Sequence, residues 1–169
     1  MITSKYMPSF VAGFGAAVLS TIPGIKSFNC CLIVPAAAFL SLHLYIKSTG
    51  DKSPIQLNKA LSFGLLTGLI AAFFTTFFDL LITYITHSND FVTALPQSKE
   101  LLNDLNLGHL MGTYLELMDS IVKDIRETGF SALYTVMISL SNFIVLTIFG
   151  MLGGLLGMSV LNKRNRPQI

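Results

Sequence analysis

The chain has 169 residues, of which 52% are hydrophobic and only 12% charged, and its 11 Lys and Arg against 9 Asp and Glu give a formal charge of +2. That charged share is about half the ordinary one, which leaves too little polar surface to clothe a soluble domain of this length. It also argues against nucleic-acid binding, because no basic surface exists beyond a short tail at Lys163, Arg164 and Arg166.

Four stretches, residues 6–25, 27–46, 60–78 and 128–162, contain no Asp, Glu, Lys or Arg. At about 1.5 Å per residue, about 20 residues cross a hydrocarbon layer of about 30 Å. The sequence therefore predicts an all-α integral membrane fold in one membrane domain over residues 1–169. Its four transmembrane helices fall at about 7–25, 28–46, 60–85 and 131–161, with an extracytoplasmic amphipathic helical excursion over about 86–129 between spans three and four.

In the first span Pro8 suits an opening turn and Pro23-Gly24 a stop. A signal peptide is the alternative, but a single Lys5 and the lack of an A-x-A site before Pro23 favour a retained span. Cys30 and Cys31 open the second span. Neighbouring cysteines do not readily close an unstrained disulfide, and the chain has no others, so they read as small apolar residues at a helix end. The alternative is a soft-metal or redox site with Asp79, His87 or His109. No CxxC, HExxH, P-loop, GxSxG or paired-carboxylate spacing supports it, so no cofactor, no metal ligand and no catalytic residue is expected. His43, one turn before Lys47, is expected to donate to a carbonyl or to water, and is kept with Asp79 as a possible functional polar group.

Ser48-Thr49-Gly50-Asp51 reads as a turn, and Ser53-Pro54-Ile55-Gln56 as a helix start with a Ser cap and Pro in the first position. Along span three, Ala60, Gly64, Gly68 and Ala72 recur every four residues. Gly150, Gly153, Gly154 and Gly157 form a similar cluster in span four. Small residues at this spacing let helix backbones approach, so all eight are expected at helix contacts, within the chain or across a homodimer face. Asp79 is the one carboxylate inside an apolar run; counted from Lys59 it falls about 30 Å along the helix, near the outer headgroups, where a structural or interfacial role is expected.

Between spans three and four, Leu101, Leu105, Leu110, Met111, Tyr114, Leu115, Met118, Ile121, Val122 and Ile125 follow a helical apolar periodicity with acids between them. Two helices are expected, the first starting near Leu95 to Gln97 because of Pro96, the middle weakened by Gly108 and Gly112, and the second ending at Gly129. Their apolar stripe must meet the spans' outer ends, a partner or the lipid interface, and their acids disfavour anionic lipid.

Four spans put Lys5, Lys47, Lys52, Lys59, Lys163, Arg164 and Arg166 on one side, against Lys26, Lys99, Lys123 and Arg126 on the other. The chain is expected in the inner membrane as a multi-pass protein, and the positive-inside rule places both termini in the cytoplasm. The stretches KSPIQLNKALSFGLLTGLIAA and LGGLLGMSVLNKRNR, with the acidic excursion between them, resemble a family of small four-span bacterial membrane proteins described only as a domain of unknown function. The resemblance implies a fold and no activity.

Two classes of function are compatible with these features. One is a non-catalytic subunit or assembly factor in the lipid bilayer, with a membrane-protein partner as its company; a homo-oligomer is the expected partner state of the other. The other is a small oligomeric transporter or channel, for which the polar residues are few: Asp79, His43, Asn142 and scattered Ser and Thr. A membrane enzyme ranks third, since no acid, base or nucleophile cluster is evident.

Overall fold

The computed structural model describes residues 3–22, 24–50, 53–104 and 109–164, with the side chains of residues 3, 4, 27, 30 and 98–111 left aside. The protein is 89% helical, without a strand among the described residues. Helix α1 spans Thr3–Ser20. A 3-10 turn at Lys26–Phe28 and a π-helical turn at Asn29–Ile33 lead into α2, Val34–Thr49. Then follow α3, Leu57–Thr86; α4, Asp90–Asp104; α5, His109–Thr128; and α6, Ala132–Arg164.

Three helical stretches are long and apolar enough to cross a membrane: Cys31–Thr49, Leu57–Thr86 and Ala132–Arg164. The expected first span is not among them. Its helix has 18 residues and opens on Thr3, Ser4 and Lys5, which dilute its apolar content. Pro8 lies inside it and not at its opening. It ends five residues before the expected boundary at residue 25, in a tightened turn where the Thr21 and Ile22 amides donate three residues back, to Val18 at 3.2 Å and Leu19 at 3.3 Å, and the Ser20 and Thr21 hydroxyls add bonds to Ala17 at 2.6 Å and Val18 at 2.7 Å. Pro23, Asp51, Lys52, Gly108 and Arg166 lie outside the described residues.

Two expected helix starts are corrected. Pro54 does not open α3: the helix begins at Leu57, with the Gln56 carbonyl accepting the first bond, from Ala60 N–H at 3.1 Å. The reason lies in α6. The Asn162 amide takes both backbone groups of Ile55, accepting from its N–H at 2.8 Å and donating to its carbonyl at 3.1 Å, which holds Ile55 out of the helix. Nor does Pro96 start the next helix; α4 begins at Asp90, with the Asn89 side chain accepting from Val92 N–H at 2.9 Å, and Pro96 sits in the helix's second turn. Of the expected turn at Ser48 to Asp51, Ser48 and Thr49 are instead the last residues of α2, and Gly50 caps it in the left-handed conformation, φ 65°, donating to Ile46 at 2.9 Å.

The chain folds as two compact units, residues 77–138 and the remainder, residues 1–76 with 139–169. In the larger unit α1 and α2 form an antiparallel hairpin tied by the buried pair Ser9 and Ser41 at 2.8 Å. One apolar cluster joins Ala12 and Ala16 of α1, Val34 and Ala37 of α2, Ala71 and Ala72 of α3 and Leu146 of α6; another joins Leu42 and Tyr45, Ile55, Ala60 and Phe63, and Leu161. In the smaller unit, Val92 and Leu95 of α4 and Met118, Ile121, Val122 and Ile125 of α5 pack with Leu80, Tyr134 and Ile138. The buried stripe of α4 and α5 thus finds its cover on α3 and α6, while Lys123, Asp124, Arg126 and Glu127 face outward.

Candidate functional site

The residues of greatest consequence in the larger unit are the small ones at its helix seams. An ideal Cβ added to Gly64 would stand 2.5 Å from the Gly150 carbonyl oxygen and 2.9 Å from Met151 Cα; one added to Gly68 would stand 2.6 Å from Leu146 O and 2.8 Å from Thr147 Cα. Gly154 meets the Ala60 carbonyl in the same way. Here α3 and α6 touch backbone to backbone, a fit that dispersion rewards and any side chain would block. The α6 glycines divide between two neighbours. Gly150 and Gly154 lie against α3, whereas Gly153 lies against Pro35 and Gly157 against Phe39 and Leu42 of α2. Gly13 of α1 makes a third close approach, to Thr67 O and Ile70 of α3. Ala72, the last rung of the ladder, is fully buried in the apolar cluster of α1, α2 and α6.

Between these seams run short polar links. Besides Ser9 and Ser41, Ser20 meets Thr75 at 3.2 Å, joining α1 to α3, and Asn142 donates to Thr76 at 3.1 Å, joining α6 to α3. Such bonds between membrane helices contribute about 0.6 kcal/mol on average, so they set register more than they hold the bundle. The Asn29 Oδ1 and Thr147 Oγ1 atoms are buried with no partner.

The possible functional polar groups are His43 in the larger unit and Asp79 in the smaller one. His43, half-buried on α2, stacks on Phe39 with ring centroids 6.5 Å apart. Asp79 is 9% exposed on α3 in the smaller unit, and its backbone carbonyl accepts from the Thr83 hydroxyl at 2.7 Å. Cys31 is exposed on the π-helical turn, and the Cys30 side chain lies outside the described set. Among the described residues no three His, Cys, Asp or Glu side chains gather as metal ligands would.

Sequence reasoning missed the Asn162 clamp, the Ser9–Ser41 pair and the aromatic chain in which Tyr6 meets Phe63 at 5.9 Å and Phe63 meets Tyr45 at 4.7 Å. A polar residue recurring at a helix face gives a weak signal for the first two. The third had none, because Tyr6, Tyr45 and Phe63 come together only through the fold. No family model, no curated protein and no solved structure matches the chain.

Proposed function

We propose that the chain is a four-span integral membrane protein of the inner membrane, without catalytic activity, working as a subunit or accessory factor of a membrane assembly. In this reading α1 is the first crossing, α2, α3 and α6 are the others, α4 and α5 form the excursion on the outer side, and both termini are cytoplasmic. One observation carries it: the outward face of α1 is Met7, Phe10, Val11, Phe14, Val18 and Leu19, all exposed. Together with Leu65, Phe73, Ile144, Ile148 and Leu156 on α3 and α6, they make an apolar exterior far larger than water tolerates on a soluble protein.

A subunit is favoured over the transporter alternative by the α3–α6 seam. Backbone fills it at Gly64, Gly68, Gly150 and Gly154, so no hydrated path runs along it. Because the stripe of α4 and α5 is covered within its own unit, engagement of a partner falls to what stays exposed there, the acidic face with Tyr114 and Leu117. Purification in mild detergent tests this. A second protein at a fixed ratio supports the proposal; a homo-oligomer with no second protein overturns it in favour of transport, and a lone chain overturns both.

A further inference from the structure

Charge is divided sharply between the two units. The sequence of the larger one has one acid, Asp51, against eight basic residues, of which six, Lys5, Lys26, Lys47, Lys59, Lys163 and Arg164, are described. Five of these six share one end of it. The Tyr6–Phe63–Tyr45 aromatic chain and the cluster of Tyr45, Ile55, Phe63 and Leu161 bring together the start of α1, the end of α2, the start of α3 and the end of α6. At that end the Lys59 ammonium lies 4.6 Å from the Tyr45 ring centroid, and that of Lys5 lies 5.6 Å from the Tyr6 ring.

Tyr6 has a second role. With Leu61, Ser62, Leu65 and Leu66 it lines an open groove of about 380 Å³ between α1 and α3. An apolar slot thus has a cation on the face of one of its own lining rings, in a unit whose sequence carries eight basic residues and one acid. The chemistry that fits is an amphiphile with an apolar chain and a net negative head. A phosphatidylcholine head brings its own cation and gains nothing from this charge, whereas an anionic head does.

We infer that this groove is a binding site for an anionic phospholipid, its head against Lys5 and one acyl chain along Leu61 and Leu65. The inference rests on the membrane reading above, and the test separates the two. The chain contains no tryptophan, so Leu65→Trp, at an exposed groove position, provides a single emitter. In vesicles, phosphatidylglycerol with brominated chains should quench it with about fivefold higher relative affinity than brominated phosphatidylcholine, the factor one basic residue contributes at an anionic surface. Lys5→Gln should abolish that preference, and Lys26→Gln, at the opposite end, should keep it. Equal affinity for the two lipids, or a preference that survives Lys5→Gln, overturns the site while leaving the membrane reading intact, since either lipid still quenches. Quenching by neither lipid overturns both. Native mass spectrometry of the unsubstituted chain from mixed vesicles gives a second readout: retained phosphatidylglycerol in excess of its share supports the site, and retention in proportion to the mixture opposes it.

Discussion

Gly68 and Gly15 are both helical glycines, yet opposite consequences are expected from adding a methyl group. At Gly68 the new carbon would meet the Leu146 carbonyl and Thr147 Cα, backbone atoms that cannot turn aside; at Gly15 it would meet nothing within 4 Å. Gly68→Ala should therefore lower the melting temperature in detergent, by the equivalent of about 1 to 3 kcal/mol of overpacking. Gly15→Ala should raise it slightly, because alanine is favoured over glycine in a helix by up to about 1 kcal/mol. Equal shifts for the two would show that the seam is not where the helices touch. Asn162 acts on the same scale through hydrogen bonds. Asn162→Leu would strip both partners from the Ile55 backbone, whose residue is 6% exposed, at a cost of about 1 to 3 kcal/mol. Hydrogen exchange at the Ile55 amide should be slow in the parent and fast in the variant; unchanged protection would mean the clamp is dispensable.

Among the elements, α5 offers the clearest contrast between local and tertiary stability. Ile125 is fully buried in the cluster that holds α4 and α5 to α3 and α6, whereas Gly112 of α5 has open space at its Cβ. Ile125→Ala should destabilise the smaller unit by about 2 to 5 kcal/mol and speed exchange throughout α5. Gly112→Ala should slow it. A parallel response in both variants would contradict the packing described for that unit. The end of α5 also shows what the chain reveals unaided. Gly129 was legible as a stop, since a lone glycine after an apolar periodicity is the usual left-handed cap, and it has φ 74° and donates to Ile125 at 2.8 Å. Its second role was not legible: a Cβ there would also strike the Tyr84 carbonyl of α3, a contact that depends on how two distant segments meet. Pro54 failed as a start signal for the same reason, and Pro96 for a local one. The first was overruled by Asn162, 108 positions later in the chain, and the second by Asn89, a better cap upstream. Periodicity and composition located the long helices because they depend on neighbours in sequence; the seams' partners depend on topology.

At the scale of the whole molecule, the account stands on the idea that lipid is the solvent of all four helices of the larger unit, α1 included. Three helical stretches are long and apolar enough to cross by length and composition, and α1 is not among them. Its buried side is small and polar, with Ser9, Ala12, Ala16 and Ser20, and its open side is wholly apolar from Phe10 to Leu19 apart from small residues, the pattern of a helix packed inward through small side chains and facing hydrocarbon outward. If α1 crosses, Ser4 and Lys26 lie on opposite faces of the membrane; if it lies flat, they share one. Single cysteines at these two positions, in a background with Cys30→Ala and Cys31→Ala, can be reacted with a membrane-impermeant maleimide on intact cells. The account predicts labelling of Lys26→Cys in intact cells and of Ser4→Cys only after lysis. Labelling of both, or of neither, before lysis would contradict it.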